Sequence, residues 1–142
     1  MSEASLLDKI RDSYAIVFGG NNLQCVLYSA IGLYGEHLQE LVRKGSMADN
    51  WAAGHLSDIS AGAVPTLVVF MIAGKNKAVQ LVTPFVTTTV LSLDEYLHFL
   101  PTSNQVTDFQ DVLCYAGGTL LAYIGNKIIT SERASNAIRN IL

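Results

Sequence analysis

The sequence has few charged residues. Only 15% of its 142 residues are Asp, Glu, Lys or Arg, and 50% are apolar, whereas soluble domains average about 25% charged residues. So few charges cannot cover the surface of an ordinary globular domain of this length. We therefore expect that much of the surface contacts a lipid bilayer or a large partner.

Cysteine and clustered basic residues are also scarce. Two cysteines are too few for a mini-protein built on disulfides, and the length fits one domain over residues 1–142. Nine basic residues stand against twelve acidic ones, for a net charge of −3. Proteins that bind a phosphate backbone gather Lys and Arg on one face. We therefore expect no nucleic acid among the partners.

Charge is absent from long stretches of the chain. Asp, Glu, Lys and Arg are missing from residues 13–35, 59–74, 78–93 and 112–126. Each stretch extends to about 20 residues, the length that a helix needs to cross about 30 Å of hydrocarbon. The predicted membrane spans are about residues 19–38, 55–74, 78–98 and 111–129. The alternative is a soluble all-α bundle in which these stretches form the core.

The basic residues are distributed unevenly around the predicted spans. Four spans place the amino terminus, the turn at 75–77 and the carboxyl terminus on one side of the membrane. That side carries seven basic residues: Lys9, Arg11, Lys75, Lys77, Lys127, Arg133 and Arg139. The other side carries only Arg43 and Lys44. The positive-inside rule then predicts a multi-pass protein with both termini cytoplasmic, and the membrane that we expect is a bacterial inner membrane.

Both ends of the chain have amphipathic patterns outside the spans. In residues 1–18, apolar residues recur at helical spacing opposite four charges, as in a helix that lies in the membrane interface. The same charges, at residues 8, 9, 11 and 12, argue against a signal peptide. Residues 131–142 form a weaker amphipathic tail. The predicted architecture is an all-α, integral membrane four-helix bundle with amphipathic N- and C-terminal helices.

Small residues recur at four-residue spacing in the last predicted span, at Cys114, Gly118 and Ala122. In lipid, such a stripe allows a neighbouring helix to approach closely. We therefore assign these three residues to helix packing. Both cysteines are then small buried side chains without a redox role.

Acidic residues and histidines collect at the non-cytoplasmic ends of the predicted spans. His55 and Asp58 are three residues apart, as are Glu95 and His98, so each pair shares a helix face. Asp111 opens the last span on the same side. We expect these residues to converge at the outer mouth of the bundle. The predicted polar cluster consists of His55, Asp58, Asp94, Glu95, His98 and Asp111.

Three interpretations of this cluster are open. We favour a hydrogen-bonded network that fixes helix register near the interface and needs no metal and no cofactor. In the second interpretation, the cluster does acid–base chemistry on a lipid or glycan head group. Its catalytic candidates are Glu95, His98 and Asp111. His98 and His55 are of the residue type that titrates near neutral pH. In the third, the Glu-x-x-His and His-x-x-Asp pairs bind a metal ion.

The second half of the sequence contains short motifs in a particular order. They are LDEYLHFLP at residues 93–101, TDFQDVL at residues 107–113 and the glycine pair at 117–118. In this order the chain resembles the VanZ-like family of small membrane proteins, over about residues 49–126. The resemblance implies a four-helix membrane protein. Some of these relatives are linked to low-level glycopeptide antibiotic resistance at the cell envelope.

The family's polar positions fall only partly on matching residues. Those that carry over are Glu95, His98, Pro101 and Asp111. Three positions differ, because the family's loop Arg is missing, Tyr115 replaces its Asn, and no Lys precedes His55. The resemblance therefore implies the architecture more strongly than the activity.

An incomplete polar constellation favours an interaction protein over an enzyme. We expect a non-catalytic accessory or structural subunit, packed against a larger membrane protein complex, with the lipid bilayer and other subunits as partners. One alternative is a cell-envelope protein that acts on or senses lipid or glycopeptide. A second alternative is a metal- or cofactor-binding membrane module. Transport is not favoured, since four spans without an internal repeat leave little room for alternating access.

Overall fold

The computed structural model describes residues 4–18, 20–97 and 109–130, together with residues 136, 139 and 140. The described residues form five long helices and no strand. The helices are α1 (Ala4–Phe18), α2 (Asn21–Arg43), α3 (Trp51–Ala73), α4 (Lys77–Leu97) and α5 (Phe109–Thr130). The predicted all-α class is therefore confirmed, and each predicted span overlaps one of the helices α2 to α5.

Two of these helices have the length and composition of membrane spans. Trp51–Ala73 and Phe109–Thr130 are both long enough and apolar enough to cross a bilayer. The bent pair formed by α1 and α2 passes the same test only when both helices are counted as one span. Helix α4 contains four threonines, and Asp94 and Glu95 lie in its last turn. These polar residues lower its mean hydropathy. The molecule is therefore a helical protein with two candidate transmembrane helices.

Polar side chains fix where the helices begin and end. Asn50 precedes α3, and its side chain accepts a hydrogen bond from the Ala53 N–H at 3.0 Å, as N-cap residues do. Gly74 ends α3 with a φ of 60° and donates its N–H to the Phe70 carbonyl. Asn76 then accepts from the Val79 N–H at 3.2 Å. A turn of three residues therefore reverses the chain between α3 and α4.

Helix α3 is the centre of the fold. It packs along most of its length against α2 and α5, and less extensively against α4. The buried core lies between these helices and consists of Tyr28, Ala63, Leu67, Phe70 and Ala122. The faces turned away from this core carry large exposed apolar side chains, such as Leu33, Phe85 and Leu97. Exposed apolar surface on this scale is typical of a chain that contacts lipid or a partner.

A close backbone contact joins α3 and α5 through two glycines. A Cβ atom at Gly118 would overlap the carbonyl oxygen of Ile59, and one at Gly62 would overlap the carbonyl oxygen of Tyr115. The two backbones therefore touch where side chains would keep them apart. The structure places Cys114, Gly118 and Ala122, the predicted packing residues, at buried positions on α5.

Candidate functional site

Ionisable side chains from three helices meet at one end of the molecule, where α3 and α5 begin and α4 ends. Helix α3 contributes His55 and Asp58, α4 contributes Glu95, and α5 contributes Asp111 and Tyr115. We call these five residues the acid–histidine cluster. Four of them belong to the predicted polar cluster, and they come from separate parts of the sequence.

His55 lies between two carboxylates. Its Nδ1 is 3.2 Å from Asp111 Oδ1 and 3.8 Å from Asp58 Oδ2. The side chains of His55, Asp58 and Asp111 are 12%, 18% and 9% exposed. Nδ1 itself is buried and has no hydrogen bond in the described part of the chain. The ring of Trp51, one turn earlier, is centred 5.3 Å from the imidazole.

Tyr115 connects the carboxylates of α3 and α4. Its hydroxyl donates to Glu95 Oε2 at 2.9 Å, and both side chains are buried. Asp58 lies next to Tyr115 and Asp111, and its carboxyl group has an oxygen within 4.8 Å of one of Asp111. Because an ionised carboxylate only accepts, a hydrogen bond between two carboxyl groups needs a proton on one of them. The cluster can therefore hold a proton between acidic groups.

In the described part of the chain, no lysine or arginine forms an ion pair with Asp58 or Asp111. At this end of the described chain, Arg43 and Lys44 lie 2.7 Å and 3.6 Å from Glu40, in exposed pairs. Within the described residues, His55 is the basic group within ion-pair distance of Asp58 and Asp111. Buried charges are normally paired or bound to a metal. One imidazole can balance the charge of only one of the two carboxylates, so that a proton or a cation can balance the other.

The predicted polar cluster also contains Asp94 and His98. Asp94 is buried on α4, one residue before Glu95. His98 lies outside the described residues, so its predicted place in the cluster stays a prediction. The convergence of His55, Asp58, Glu95 and Asp111 at one end is the arrangement that their spacing predicted.

Sequence reasoning did not assign Tyr115 to the site. It noted this residue only as a departure from the family pattern. The signal that was available is its position four residues after Asp111, which puts both on one face of α5. From this position, the Tyr115 hydroxyl can reach the carboxyl groups that lie near Asp111.

A second buried polar network lies at the opposite end of α2 and α5. The Tyr14 hydroxyl donates to Gln24 Oε1 at 2.7 Å, and Gln24 Nε2 donates to Asn21 Oδ1 at 3.0 Å. Asn21 Nδ2 in turn donates to Asn126 Oδ1 at 2.9 Å. This chain of hydrogen bonds, which we call the amide network, joins α1, α2 and α5. Sequence reasoning missed it, although amides inside a charge-free stretch are a signal for such bonds.

Comparison with known proteins adds no relative: no family model, curated protein or solved structure matches the chain. The VanZ-like resemblance therefore stays a prediction from short motifs. The functional argument depends on the geometry of the acid–histidine cluster.

Proposed function

We propose that this chain is an integral membrane protein that binds the polar head group of a membrane amphiphile at the acid–histidine cluster and transfers a proton there. The observation that carries the proposal is the convergence of His55, Asp58, Glu95 and Asp111, from three helices, at one end of the molecule. A network that only fixes helix register does not need so many ionisable groups in one place.

The depth of the cluster suits a head group. His55 lies four residues after Trp51, the first residue of α3, and Asp58 lies seven residues after it. At about 1.5 Å per residue, these positions are about 6 and 10 Å from the helix end. That is about the depth of the boundary between head groups and acyl chains. A soluble substrate would not need a site at this depth, whereas a lipid or a lipid-linked glycan is anchored there.

The geometry also supplies parts for proton transfer. His55 Nδ1 lies 3.2 Å from Asp111 Oδ1, so Nε2 is the imidazole nitrogen that does not face this carboxylate. Nε2 is then available as an acid or base toward a bound group. Asp58 and Asp111 have carboxylate oxygens within 4.8 Å of each other, and two carboxyl groups this close repel each other unless one of them holds a proton. Acid–base groups placed in this way typically contribute about 10²- to 10⁴-fold to a rate.

Four spanning helices, α2 to α5, form part of the proposal. It is supported by the two apolar helices, the exposed apolar faces and the uneven distribution of basic residues. In this arrangement the protein belongs to a bacterial inner membrane, with both termini cytoplasmic and the acid–histidine cluster facing outward. An envelope role of this kind agrees with the VanZ-like resemblance.

An accessory subunit is the second candidate function. The exposed apolar faces of α2 and α4 favour it, because a partner can cover them as well as lipid can. Gly118, one of the predicted packing residues, contacts α3 of the same chain and is not available to a partner. In an accessory subunit, the partner would therefore contact the large apolar side chains of α2 and α4 rather than a groove lined by small residues.

The proposed topology predicts opposite accessibility for two turns. With Cys25 and Cys114 changed to serine, single cysteines are introduced by Ser46→Cys, between α2 and α3, and by Lys75→Cys, between α3 and α4. Both positions are exposed. We expect a membrane-impermeant maleimide to label the first in intact spheroplasts and the second only after permeabilisation. Equal labelling of both turns from one side would contradict the topology.

The proposed function predicts that Asp111→Asn abolishes the effect of the protein on envelope amphiphiles. The amide keeps the shape of the side chain but cannot carry the negative charge that faces His55. We compare bacteria that express the wild type, Asp111→Asn or Asp58→Asn, measuring lipid and lipid-linked glycan composition by mass spectrometry, together with glycopeptide susceptibility. The two variants should match bacteria without the protein, at unchanged membrane abundance.

The matched control for this experiment is Asp49→Asn, which removes one exposed carboxylate before α3. It should behave like the wild type. The proposal is wrong if Asp111→Asn retains the full effect at equal abundance. If wild-type protein has no effect on either readout but leaves the membrane with stoichiometric partners, the accessory-subunit hypothesis replaces it.

A further inference from the structure

We propose that His55, Asp58 and Asp111 form a binding site for one divalent transition-metal ion, of which zinc is the best fit. This inference rests on the proposed function, because it assigns a metal cofactor to the same acid–histidine cluster. The three residues come from two helices, and one ligand atom from each lies within 4.8 Å of the others.

The distances between the ligand atoms agree with tetrahedral coordination. Zinc binds nitrogen and oxygen ligands at about 2.0–2.2 Å, so two ligand atoms on one tetrahedral ion are separated by about 3.3–3.6 Å. His55 Nδ1 is 3.2 Å from Asp111 Oδ1 and 3.8 Å from Asp58 Oδ2. Both separations are within a few tenths of an ångström of the tetrahedral values, and the oxygens of Asp58 and Asp111 lie within 4.8 Å of each other.

His55 Nδ1 lies between the two carboxylates without a hydrogen bond to either of them. It is buried and makes no hydrogen bond in the described part of the chain. Most buried nitrogen atoms have a partner, and an ion is one explanation for those that do not. The lone pair of a neutral imidazole nitrogen is a common metal ligand. A metal would give Nδ1 the partner that it lacks.

The donor set and its charge select the class of ion. One imidazole nitrogen with two carboxylate oxygens suits zinc, iron or manganese, whereas magnesium and calcium prefer oxygen ligands alone. Metal binding displaces the proton held between the acidic groups, so that two carboxylates and one neutral imidazole carry a charge of −2, which a divalent ion neutralises. Three protein ligands also leave a fourth position open, as in catalytic zinc sites. Asp58 is the most exposed of the three side chains, at 18%.

The helices hold the three ligands in a fixed relation. His55 and Asp58 share one face of α3, and Asp111 faces them from the first turn of α5. The close contact of α3 and α5 at Gly62 and Gly118 sets the distance between these faces. Tyr115 interacts with Asp58 and hydrogen-bonds with Glu95, and partners of this kind orient metal ligands.

The test measures metal on the purified, tag-free full chain in lipid nanodiscs. After treatment with chelator, the protein is loaded with zinc, dialysed and analysed by elemental mass spectrometry. We expect one zinc per wild-type chain. His55→Ala and Asp111→Asn should each weaken zinc binding at least about 100-fold, since each removes a direct ligand. Cobalt(II) loaded in place of zinc should show the visible absorption of a tetrahedral site, and His55→Ala should abolish it.

His37→Ala is the matched control, because His37 is exposed on α2. It should bind zinc like the wild type, and circular dichroism should show unchanged helix content in every variant. The inference is wrong if wild-type protein binds no zinc, or if His55→Ala binds as much as the wild type. A loss of zinc in His37→Ala as large as in His55→Ala would mean surface binding and would also overturn it.

The outcomes separate this inference from the proposed function. If Asp111→Asn abolishes the effect on envelope amphiphiles while no chain binds zinc, the metal site fails and the proton-transfer site stands. If zinc binds as expected but the envelope amphiphiles do not change, the proposed function fails alone.

Discussion

Gly118→Ala is expected to prevent the native packing of α3 against α5. The added methyl group would overlap the carbonyl oxygen of Ile59 and lie 3.0 Å from the Ala63 nitrogen. Both opposing atoms belong to the backbone of α3, so no side chain can rotate away. The helices must separate along the contact that contains most of the buried core. We expect a loss of about 3 kcal/mol or more, the upper end for overpacked cores.

The measurement is unfolding of the purified protein by denaturing detergent, followed by circular dichroism and by zinc content. Gly117→Ala is the control, because a Cβ at that neighbouring position meets nothing within 4 Å. It should leave stability unchanged or raise it by up to about 1 kcal/mol, since alanine favours a helix over glycine. Equal stability of the two variants would show that α3 and α5 do not touch as described.

This prediction also concerns the metal site. Asp111 lies two turns before Gly118 on α5, and Asp58 lies one turn before Gly62 on α3. Any separation of the two helices at the glycines therefore widens the gap between the ligands. Gly118→Ala should reduce zinc binding even though it changes no ligand. Small residues far from the cluster thus have a functional consequence.

The positions of the long helices were predictable from the sequence because charge is excluded from apolar surroundings. The charge-free stretches predicted spans over about 55–74 and 111–129, and the structure has α3 at Trp51–Ala73 and α5 at Phe109–Thr130. The ends were less accurate. Helix α2 continues to Arg43, five residues beyond its predicted end, because an exposed and charged last turn does not prevent helix formation.

The membership of the site was predictable only in part. The pairing of His55 with Asp58 follows from three-residue spacing within one helix, and spacing is a property of the sequence. The contact of His55 with Asp111, and the role of Tyr115 in bonding Glu95, depend on how α3, α4 and α5 are rotated against one another. That rotation is set by the contact at Gly62 and Gly118, and no pattern within a single helix contains it.

The amino-terminal helix shows the same limit. Its apolar spacing predicted a face that rests on lipid or on a partner, and Leu6, Ile10 and Val17 are indeed exposed. Tyr14, from the same predicted apolar face, instead bonds Gln24 on α2. Ala15 beside it is completely buried. Hydrophobic periodicity cannot show that one polar atom on an apolar face has a partner elsewhere in the chain.

Gln24→Leu is expected to release α1 from the rest of the protein. Gln24 is completely buried and binds both Tyr14 and Asn21. Leucine has a similar volume but leaves the Tyr14 hydroxyl and Asn21 Oδ1 without their partner. Unpaired buried polar groups cost about 1–3 kcal/mol each. Few other contacts hold α1, so we expect its docking to weaken by about 2 kcal/mol.

Limited trypsin digestion in nanodiscs measures this release, because Lys9 and Arg11 lie in α1. Cleavage of a region that opens transiently follows the population of the open form, so about 2 kcal/mol corresponds to about 30-fold faster cleavage. Tyr14→Phe removes one hydrogen bond of the amide network and should accelerate cleavage less, by about 5-fold. Gln39→Leu, a half-buried control on α2 outside the network, should have no effect. Cleavage of Gln24→Leu at the wild-type rate would mean that apolar contacts alone hold α1, and that the buried amides are not what joins it to α2 and α5.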